Sequence, residues 1–105
     1  MELELYWTVF AKNELQNIFK YYKQKASPEI AKKLVSELVL ETARLKTNPH
    51  IGQVEELLAK RKQEFRYLVH RNYKIIYWIN NDKSSIEIID VFDNRQNPVK
   101  ITRSE

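Results

Sequence analysis

The segment that decides the fold is FRYLVHRNYKIIYWIN, residues 65–80. It divides into Phe65–His70 and Tyr73–Asn80, two runs rich in aromatic and β-branched residues that only Arg71 and Asn72 separate, which is the pattern of a β-hairpin. A third run of this kind, Ser85–Phe92, follows a short polar turn. Three consecutive strands joined by tight turns predict a meander. The last strand is apolar on both faces, so we expect it to be central or covered on both sides.

The residues before the meander predict one strand and two helices. Apolar and polar residues alternate through Leu3–Trp7, which is the period of a strand with one buried face. Thr8 is a suitable N-cap for a first helix that runs to about Lys25. Ser27-Pro28 is a start signal for a second helix, and Asn48-Pro49 should stop it. Because the connection is short, the two helices should form an antiparallel hairpin on one face of the sheet.

The segment His50–Gln63 contains the only glycine, Gly52, and is expected to be a loop with one helical turn. The predicted order is therefore β-α-α-β-β-β. This order indicates an α+β fold, with a helical hairpin packed on a largely antiparallel, twisted sheet. Strand one should pair with a meander strand to hide its apolar face. Residues 1–105 are expected to form a single domain.

Composition narrows the possible functions. The formal net charge of +4 favours acidic partners such as nucleic acid or an acidic protein segment. The chain has no cysteine, which removes disulfides and thiolate chemistry and fits a reducing cytoplasm. It offers no signal peptide and no membrane span. His50 and His70 are isolated from carboxylates at ligand spacing, so neither a metal nor any other cofactor is expected.

Four segments, taken in order, resemble the RelE/ParE superfamily of small bacterial toxins, and especially its ParE-like members. They are Trp7-Thr8-Val9-Phe10-Ala11 followed by Leu15 and Ile18; Leu45-Lys46-Thr47-Asn48-Pro49 followed by Gly52; Phe65-Arg66-Tyr67-Leu68 followed by Tyr73-Lys74-Ile75-Ile76-Tyr77; and Val91-Phe92-Asp93-Asn94-Arg95-Gln96-Asn97-Pro98. The resemblance implies a growth-inhibiting toxin of a type II toxin-antitoxin, or plasmid stabilisation, system. It also implies a cognate antitoxin whose C-terminal segment masks the toxin, with operator DNA bound only through that antitoxin.

The resemblance leaves the target open, since ParE-like members inhibit DNA gyrase and RelE-like members cleave messenger RNA in the ribosome. Cleavage of RNA needs cations for the phosphate and an acid-base pair. Arg66, Lys74 and Arg95 are candidates for the cations. However, no Tyr or His follows Arg95, and no closing helix is expected to fit in the residues that remain. Only His70 or Tyr77 could substitute, and by a different geometry.

Further basic residues are candidates for binding the target. They are Lys60, Arg61, Lys62, His70 and Arg71. The run at 60–62 is typical of a solvated loop, but it could steer RNA, DNA or an acidic antitoxin and share a surface with Arg66. His70 beside a hairpin turn is more often an exposed turn residue than a catalyst. Likewise, Arg66 and Lys74 are more often a solvated strand face than a catalytic site.

The aromatic residues allow two interpretations. Tyr21-Tyr22, together with Tyr67, Tyr73, Tyr77 and Trp78, could stack on bases if their rings are exposed beside basic groups. Packing in the core or on the sheet is the commoner role for such residues. Our leading hypothesis is a ParE-like toxin that binds gyrase. The alternatives are a ribosome-dependent endonuclease and an inactive toxin fold that serves as a binding module. In each case the antitoxin should cover helix one, helix two and an exposed sheet edge.

Overall fold

The computed structural model describes residues 3–96 and 98–104. Its strands are β1 (Glu4–Trp7), β2 (Gln53–Val54), β3 (Phe65–His70), β4 (Tyr73–Asn80) and β5 (Ser85–Asp93), and its helices are α1 (Val9–Lys25) and α2 (Pro28–Ala43). Short 3₁₀ segments lie at Arg44–Lys46, Glu56–Leu58, Asn81–Lys83 and Pro98–Ser104. The strands form one sheet in the order β1-β5-β4-β3-β2. The predicted α+β architecture is confirmed.

Both helices start where the capping residues predict. The Thr8 hydroxyl accepts a hydrogen bond from the Ala11 backbone N–H, and the Ser27 hydroxyl accepts one from Ile30. Each cap satisfies an N–H group that has no partner inside the helix. The predicted end of α1 at Lys25 is confirmed.

The predicted end of the second helix was wrong by one turn. α2 ends at Ala43, and the chain continues as the 3₁₀ segment Arg44–Lys46 before it reaches Asn48-Pro49. The side chain of Leu45 in this segment is fully buried. A tighter last turn is common at helix ends, and here it carries a core residue. Sequence periodicity does not separate the two helix types over three residues.

The meander and the pairing of β1 agree with the prediction. β3, β4 and β5 are consecutive antiparallel neighbours, whereas β1 pairs with β5 in parallel. β5 therefore lies inside the sheet, as its apolar residues indicated. The parallel pairing follows from the two helices, which carry the chain across the sheet between β1 and the meander.

Two elements were missed. The segment His50–Gln63 contains the expected helical turn at Glu56–Leu58, but also the edge strand β2, which pairs with Tyr67 and Arg66 of β3. Two residues are too few for the alternation of buried and exposed side chains to be recognised in the sequence. The expectation that no closing helix fits was also wrong, because Pro98–Ser104 forms a 3₁₀ segment in which Ile101 is buried.

The two faces of the sheet are covered to different extents. The helices cover one face, whose fully buried members are Ala11, Leu38, Leu45, Ile75, Tyr77, Ile86 and Ile88. The other face carries a smaller cluster of Leu58, Phe65, Ile76, Phe92 and Ile101, under the 3₁₀ segments at 56–58 and 98–104. Which face a strand residue occupies decides which of these two environments it has.

Candidate target-binding residues

Arg66 lies on the helix-covered face, in the same alternation as Leu68. Its Nη1 donates to the backbone oxygen of Gly52 at 2.8 Å and to that of His50 at 3.4 Å. Its Nη2 donates to Glu64 at 2.9 Å. Only 18% of its side chain is exposed. Both ends of the guanidinium thus hold neighbouring chain segments.

Tyr77 holds the same loop from β4. Its hydroxyl accepts from the Gly52 N–H at 3.0 Å and donates to the Pro49 oxygen at 2.7 Å. Burial raises the pKa of this hydroxyl, so it stays protonated at neutral pH. Gly52 is required for the close approach, because a Cβ there would lie 2.5 Å from the Tyr77 hydroxyl oxygen. We call Arg66, Tyr77 and the backbone of 49–52 the loop clamp.

Lys74 lies on the opposite face of the sheet, in the same alternation as Ile76. Its Nζ is 2.8 Å from Oε2 of Glu55, whose side chain is only 3% exposed. The ammonium group also lies 4.2 Å from the centre of the Tyr67 ring, a cation-π contact. Glu55 further accepts from the N–H of Leu57. Lys74 therefore neutralises a buried carboxylate that anchors the start of the 56–58 turn.

The sheet register separates these two cations. Arg66 stands opposite Tyr77, and Lys74 stands opposite Val69. Residues directly opposite in an antiparallel pair share a face, and successive residues alternate. Arg66 and Lys74 thus point to different faces, so the structure does not bring them together around one phosphate.

Arg95 lies beyond the end of β5 in a third place. Its Nη2 donates to Oδ2 of Asp93 at 2.7 Å, its Nε to Oδ1 at 3.0 Å, and its backbone N–H to Oδ1 at 2.9 Å. Asn72 donates to the same carboxylate. The Arg95 hydrogen bonds lower the pKa of Asp93 to about 2. Even so, 59% of the Arg95 side chain is exposed, so its orientation is fixed while it still faces solvent.

Tyr73 lies beside Arg95 in a cavity of about 340 Å³ between α1 and the end of β5. It is 4% exposed. Burial and a hydrogen bond with Tyr22 raise its pKa well above the usual range. A phenol of this kind is a poor general base at neutral pH.

His70 and Arg71, at the β3–β4 turn, bind one carboxylate on α2. Nε2 of His70 lies 2.9 Å from Oε1 of Glu37, and Nη2 of Arg71 lies 3.3 Å from the same atom. Hydrogen bonding to His70 lowers the pKa of Glu37. The expectation that His70 is an exposed turn residue was wrong, since only 21% of its side chain is exposed. This contact ties the hairpin to the helices.

Lys60, Arg61 and Lys62 follow the 56–58 turn, whose Leu58 belongs to the cluster on the second face. Lys60 and Lys62 are exposed and Arg61 is half-buried. This basic run is close in sequence to Arg66, but the Arg66 side chain is directed into the loop clamp. The two therefore do not form one solvent-exposed basic surface.

Sequence reasoning found these cations but missed the carboxylates that hold them: Glu37, Glu55 and Asp93. Glu37 and Glu55 each lie at least 19 residues from their partners, whereas Asp93 is only two residues from Arg95. Only that local pair carried a sequence signal. Within residues 3–96 and 98–104, no group of three or more His, Asp or Glu residues could hold a metal. No helix in this part of the chain is long and apolar enough to cross a bilayer.

The order of elements and the helical hairpin over a mixed sheet define the class of small toxins with the RelE/ParE fold. A family model described as the ParE toxin of the type II toxin-antitoxin system parDE matches residues 5–98. The chain therefore belongs to the ParE toxin family of type II toxin-antitoxin systems. No curated protein sequence matches this chain.

Two solved structures are similar in fold. One, a chromosomal ParDE toxin-antitoxin system from P. aeruginosa, has a TM-score of 0.72 and 21% identity, and the match covers 88% of this chain and 96% of that one. The other, the RelBE2 toxin-antitoxin complex from Mycobacterium tuberculosis, has a TM-score of 0.57 and 18% identity, covering 89% and 99%. At these identities the likeness concerns the fold alone.

Proposed function

We propose that this chain inhibits growth by binding DNA gyrase, and that a cognate antitoxin neutralises it in the cytoplasm. The observation that carries the choice of target is the separation of the three candidate phosphate-binding cations. Arg66 and Lys74 are on opposite faces of the sheet, and both are engaged in internal contacts. Of these three cations, only Arg95 combines a fixed orientation with a largely exposed side chain.

An endonuclease would also need a general acid and a general base near the scissile phosphate. Tyr73 is the tyrosine beside Arg95 on the sheet, and its burial disfavours the ionised form. His70 is hydrogen-bonded to Glu37, and the hydroxyl of Tyr77 is hydrogen-bonded to Gly52 within the loop clamp. These contacts favour a toxin that binds a large target over one that cleaves RNA. A ribosome-dependent endonuclease and an inactive binding module remain the two alternatives.

Expression of the chain alone in a bacterial host separates the three functions. Growth, messenger 5′ ends and plasmid supercoiling are followed in the same cells. We expect growth arrest with loss of negative supercoiling and no new messenger ends. Codon-phased cuts would mean that the endonuclease is correct instead, and unaffected growth with flat readouts would favour the inactive module.

The antitoxin surface that we propose is the outer groove between α1 and α2. An apolar depression there is lined by Leu15, Gln16, Phe19, Lys20 and Val35. Exposed Lys12 and Lys32 lie on the same two helices. An apolar floor flanked by cations suits an amphipathic segment with acidic flanks. The edge strand β1 adds a set of backbone groups that could pair with a further segment.

The groove is tested by reversing a charge that does not contribute to the core. Lys20→Glu should weaken retention of the antitoxin encoded by the neighbouring open reading frame when the pair is co-purified. Lys83→Glu, at an exposed position of the 81–83 turn, is the matched control and should retain it. Equal retention by both variants would contradict the groove while leaving the gyrase hypothesis untouched.

A further inference from the structure

Two tyrosines are much more exposed than the other four. Tyr6 is 54% exposed and Tyr21 is 48% exposed, while Tyr22 and Tyr67 are half-buried and Tyr73 and Tyr77 are buried. A single exposed aromatic side chain is normal on a protein surface, so exposure alone does not indicate a binding site. The groups around the ring decide whether it could bind a ligand. These two rings have opposite surroundings.

Tyr6 lies in an acidic environment. On the neighbouring strand it stands directly opposite Glu87, and Glu4 is on the same face of β1 two residues earlier. Carboxylates on both sides repel an anionic ligand. Tyr6 is therefore a natural control for any role that depends on an aromatic ring beside cations.

Tyr21 lies between two depressions and lines both. The first is the cavity of about 340 Å³, also lined by Glu14, Asn17, Tyr73, Asp93, Arg95 and Gln96. The second is a surface groove along α1, lined by Asn17, Lys20, Tyr21, Lys23 and Gln24. The cavity beside Tyr21 is thus lined by a fixed guanidinium, and the groove along α1 is lined by two lysines.

Two side chains of this surface, Tyr21 and Arg95, contact neighbours that restrict them. Tyr22 packs edge-on against Tyr21 with ring centres 5.1 Å apart. The Arg95 guanidinium is fixed by the hydrogen bonds that it donates to Asp93. Because these contacts already restrict the ring and the guanidinium, less side-chain entropy is lost when a ligand binds.

We propose that the surface formed by Tyr21, Lys20, Lys23 and Arg95 is a binding site for single-stranded nucleic acid. One base stacks on Tyr21 in the cavity, where the side-chain amides of Asn17 and Gln96 offer hydrogen bonds. The adjoining phosphates lie along the lysine groove. Glu14 and Asp93 also line the cavity, and their charge is the reason that the phosphates belong on the lysine side. Stacking platforms flanked by cations are the common device of such sites.

This inference goes beyond the proposed function, because it concerns affinity for a strand and not the identity of the toxin's target. Its readout is the binding of an oligonucleotide by the isolated chain. Failure of the gyrase hypothesis would appear as unaltered supercoiling in cells. The two failures are therefore distinguishable.

The test is a fluorescence anisotropy titration of the full chain, free of antitoxin, against a short fluorescein-labelled oligothymidylate at several salt concentrations. Tyr21→Ala should lower the affinity about tenfold, and Tyr21→Phe should keep it. Tyr6→Ala, the control, should bind like the wild type. Lys23→Ala should reduce the slope of log affinity against log salt by about 0.7, the value for one phosphate contact with a single strand.

The proposal is overturned if the wild type fails to bind the strand at low salt, or if Tyr21→Ala and Tyr6→Ala have equal affinity. It is also overturned if Tyr21→Ala weakens retention of the antitoxin in co-purification without changing oligonucleotide affinity, since the surface would then belong to the antitoxin. Circular dichroism of each variant establishes that a lost affinity is not lost folding.

Discussion

Arg66 and Arg95 are both candidate phosphate-binding arginines, yet the regions around them differ. In the loop clamp, Arg66 is 18% exposed and its guanidinium donates to backbone oxygens of a neighbouring loop. At the end of β5, Arg95 is 59% exposed and bound by a carboxylate two residues away. The first side chain is enclosed by the protein and the second is presented to solvent. An arginine whose N–H groups are bonded inside the fold therefore has a structural role, whereas one that faces solvent can bind a target.

The loop clamp should be the region most sensitive to added volume. In Gly52→Ala, the new Cβ would lie 2.5 Å from the Tyr77 hydroxyl oxygen and 2.8 Å from the backbone oxygen of Tyr67. We expect the free energy of unfolding to fall by about 3 kcal/mol, measured by urea denaturation. Ser36→Ala, at an exposed site on α2, should change it by less than about 0.5 kcal/mol. Equal stability of the two variants would mean that the loop is not closely packed on Tyr77.

Removing one hydroxyl should have the next largest effect. Tyr77→Phe leaves the N–H of Gly52 and the oxygen of Pro49 without their side-chain partner. We expect a loss of about 2 kcal/mol in the free energy of unfolding, since buried polar groups without partners are costly. Tyr6→Phe removes the hydroxyl of an exposed tyrosine and should leave the midpoint of urea denaturation unchanged. If the denaturation midpoint of Tyr77→Phe equals that of Tyr6→Phe, the Tyr77 hydroxyl does not stabilise the loop clamp.

The same substitution at both arginines should have unequal effects on stability. Arg66→Gln should destabilise the fold by about 2 kcal/mol, because it releases the Gly52 carbonyl inside the clamp. Arg95→Gln should have the smaller effect, because 59% of the Arg95 side chain is exposed and Asp93 keeps the hydrogen bonds from Asn72 and from the backbone N–H of residue 95. Denaturation curves for the two variants check this order. A reversed order would mean that Arg95 holds the fold.

The smallest expected effect concerns acid. Arg95 lowers the pKa of Asp93 from 3.8 to about 2. A carboxyl with a lowered folded-state pKa stabilises the fold fully above its unfolded pKa, and this contribution is lost as pH falls from 3.8 toward 2. In Asp93→Asn, the melting temperature should therefore fall less steeply over this range than in the wild type. Identical slopes would show that the Asp93–Arg95 pair contributes nothing to folding stability.

The sequence was informative about elements but not about contacts. Phe65–His70 and Tyr73–Asn80 were predicted with the bounds they have, because two-residue alternation and a tight turn are local signals. The two-residue strand β2 and the turn at Arg44–Lys46 were not predicted, because each is too short for its side-chain period to repeat. Their positions are set by tertiary contacts, such as those of buried Leu45.

The candidate site was predicted less well, for a geometric reason. Arg66 and Lys74 were grouped by residue type, but their places in the hairpin register direct them to opposite faces of the sheet. Their partners, the Gly52 carbonyl and Glu55, are 14 and 19 residues away. A register can be derived once the hairpin turn is known, whereas contacts across a loop of irregular length cannot.

The gyrase hypothesis is tested most directly with purified gyrase. The supercoiling of a plasmid by the enzyme is measured in the presence of wild type, Arg66→Gln or Arg95→Gln, at equal concentrations of folded protein. We expect the wild type and Arg66→Gln to inhibit, and Arg95→Gln to be much weaker. Inhibition that Arg66→Gln loses and Arg95→Gln retains would contradict the assignment of structural and target-binding roles. If the folded wild type does not inhibit, gyrase is not the target.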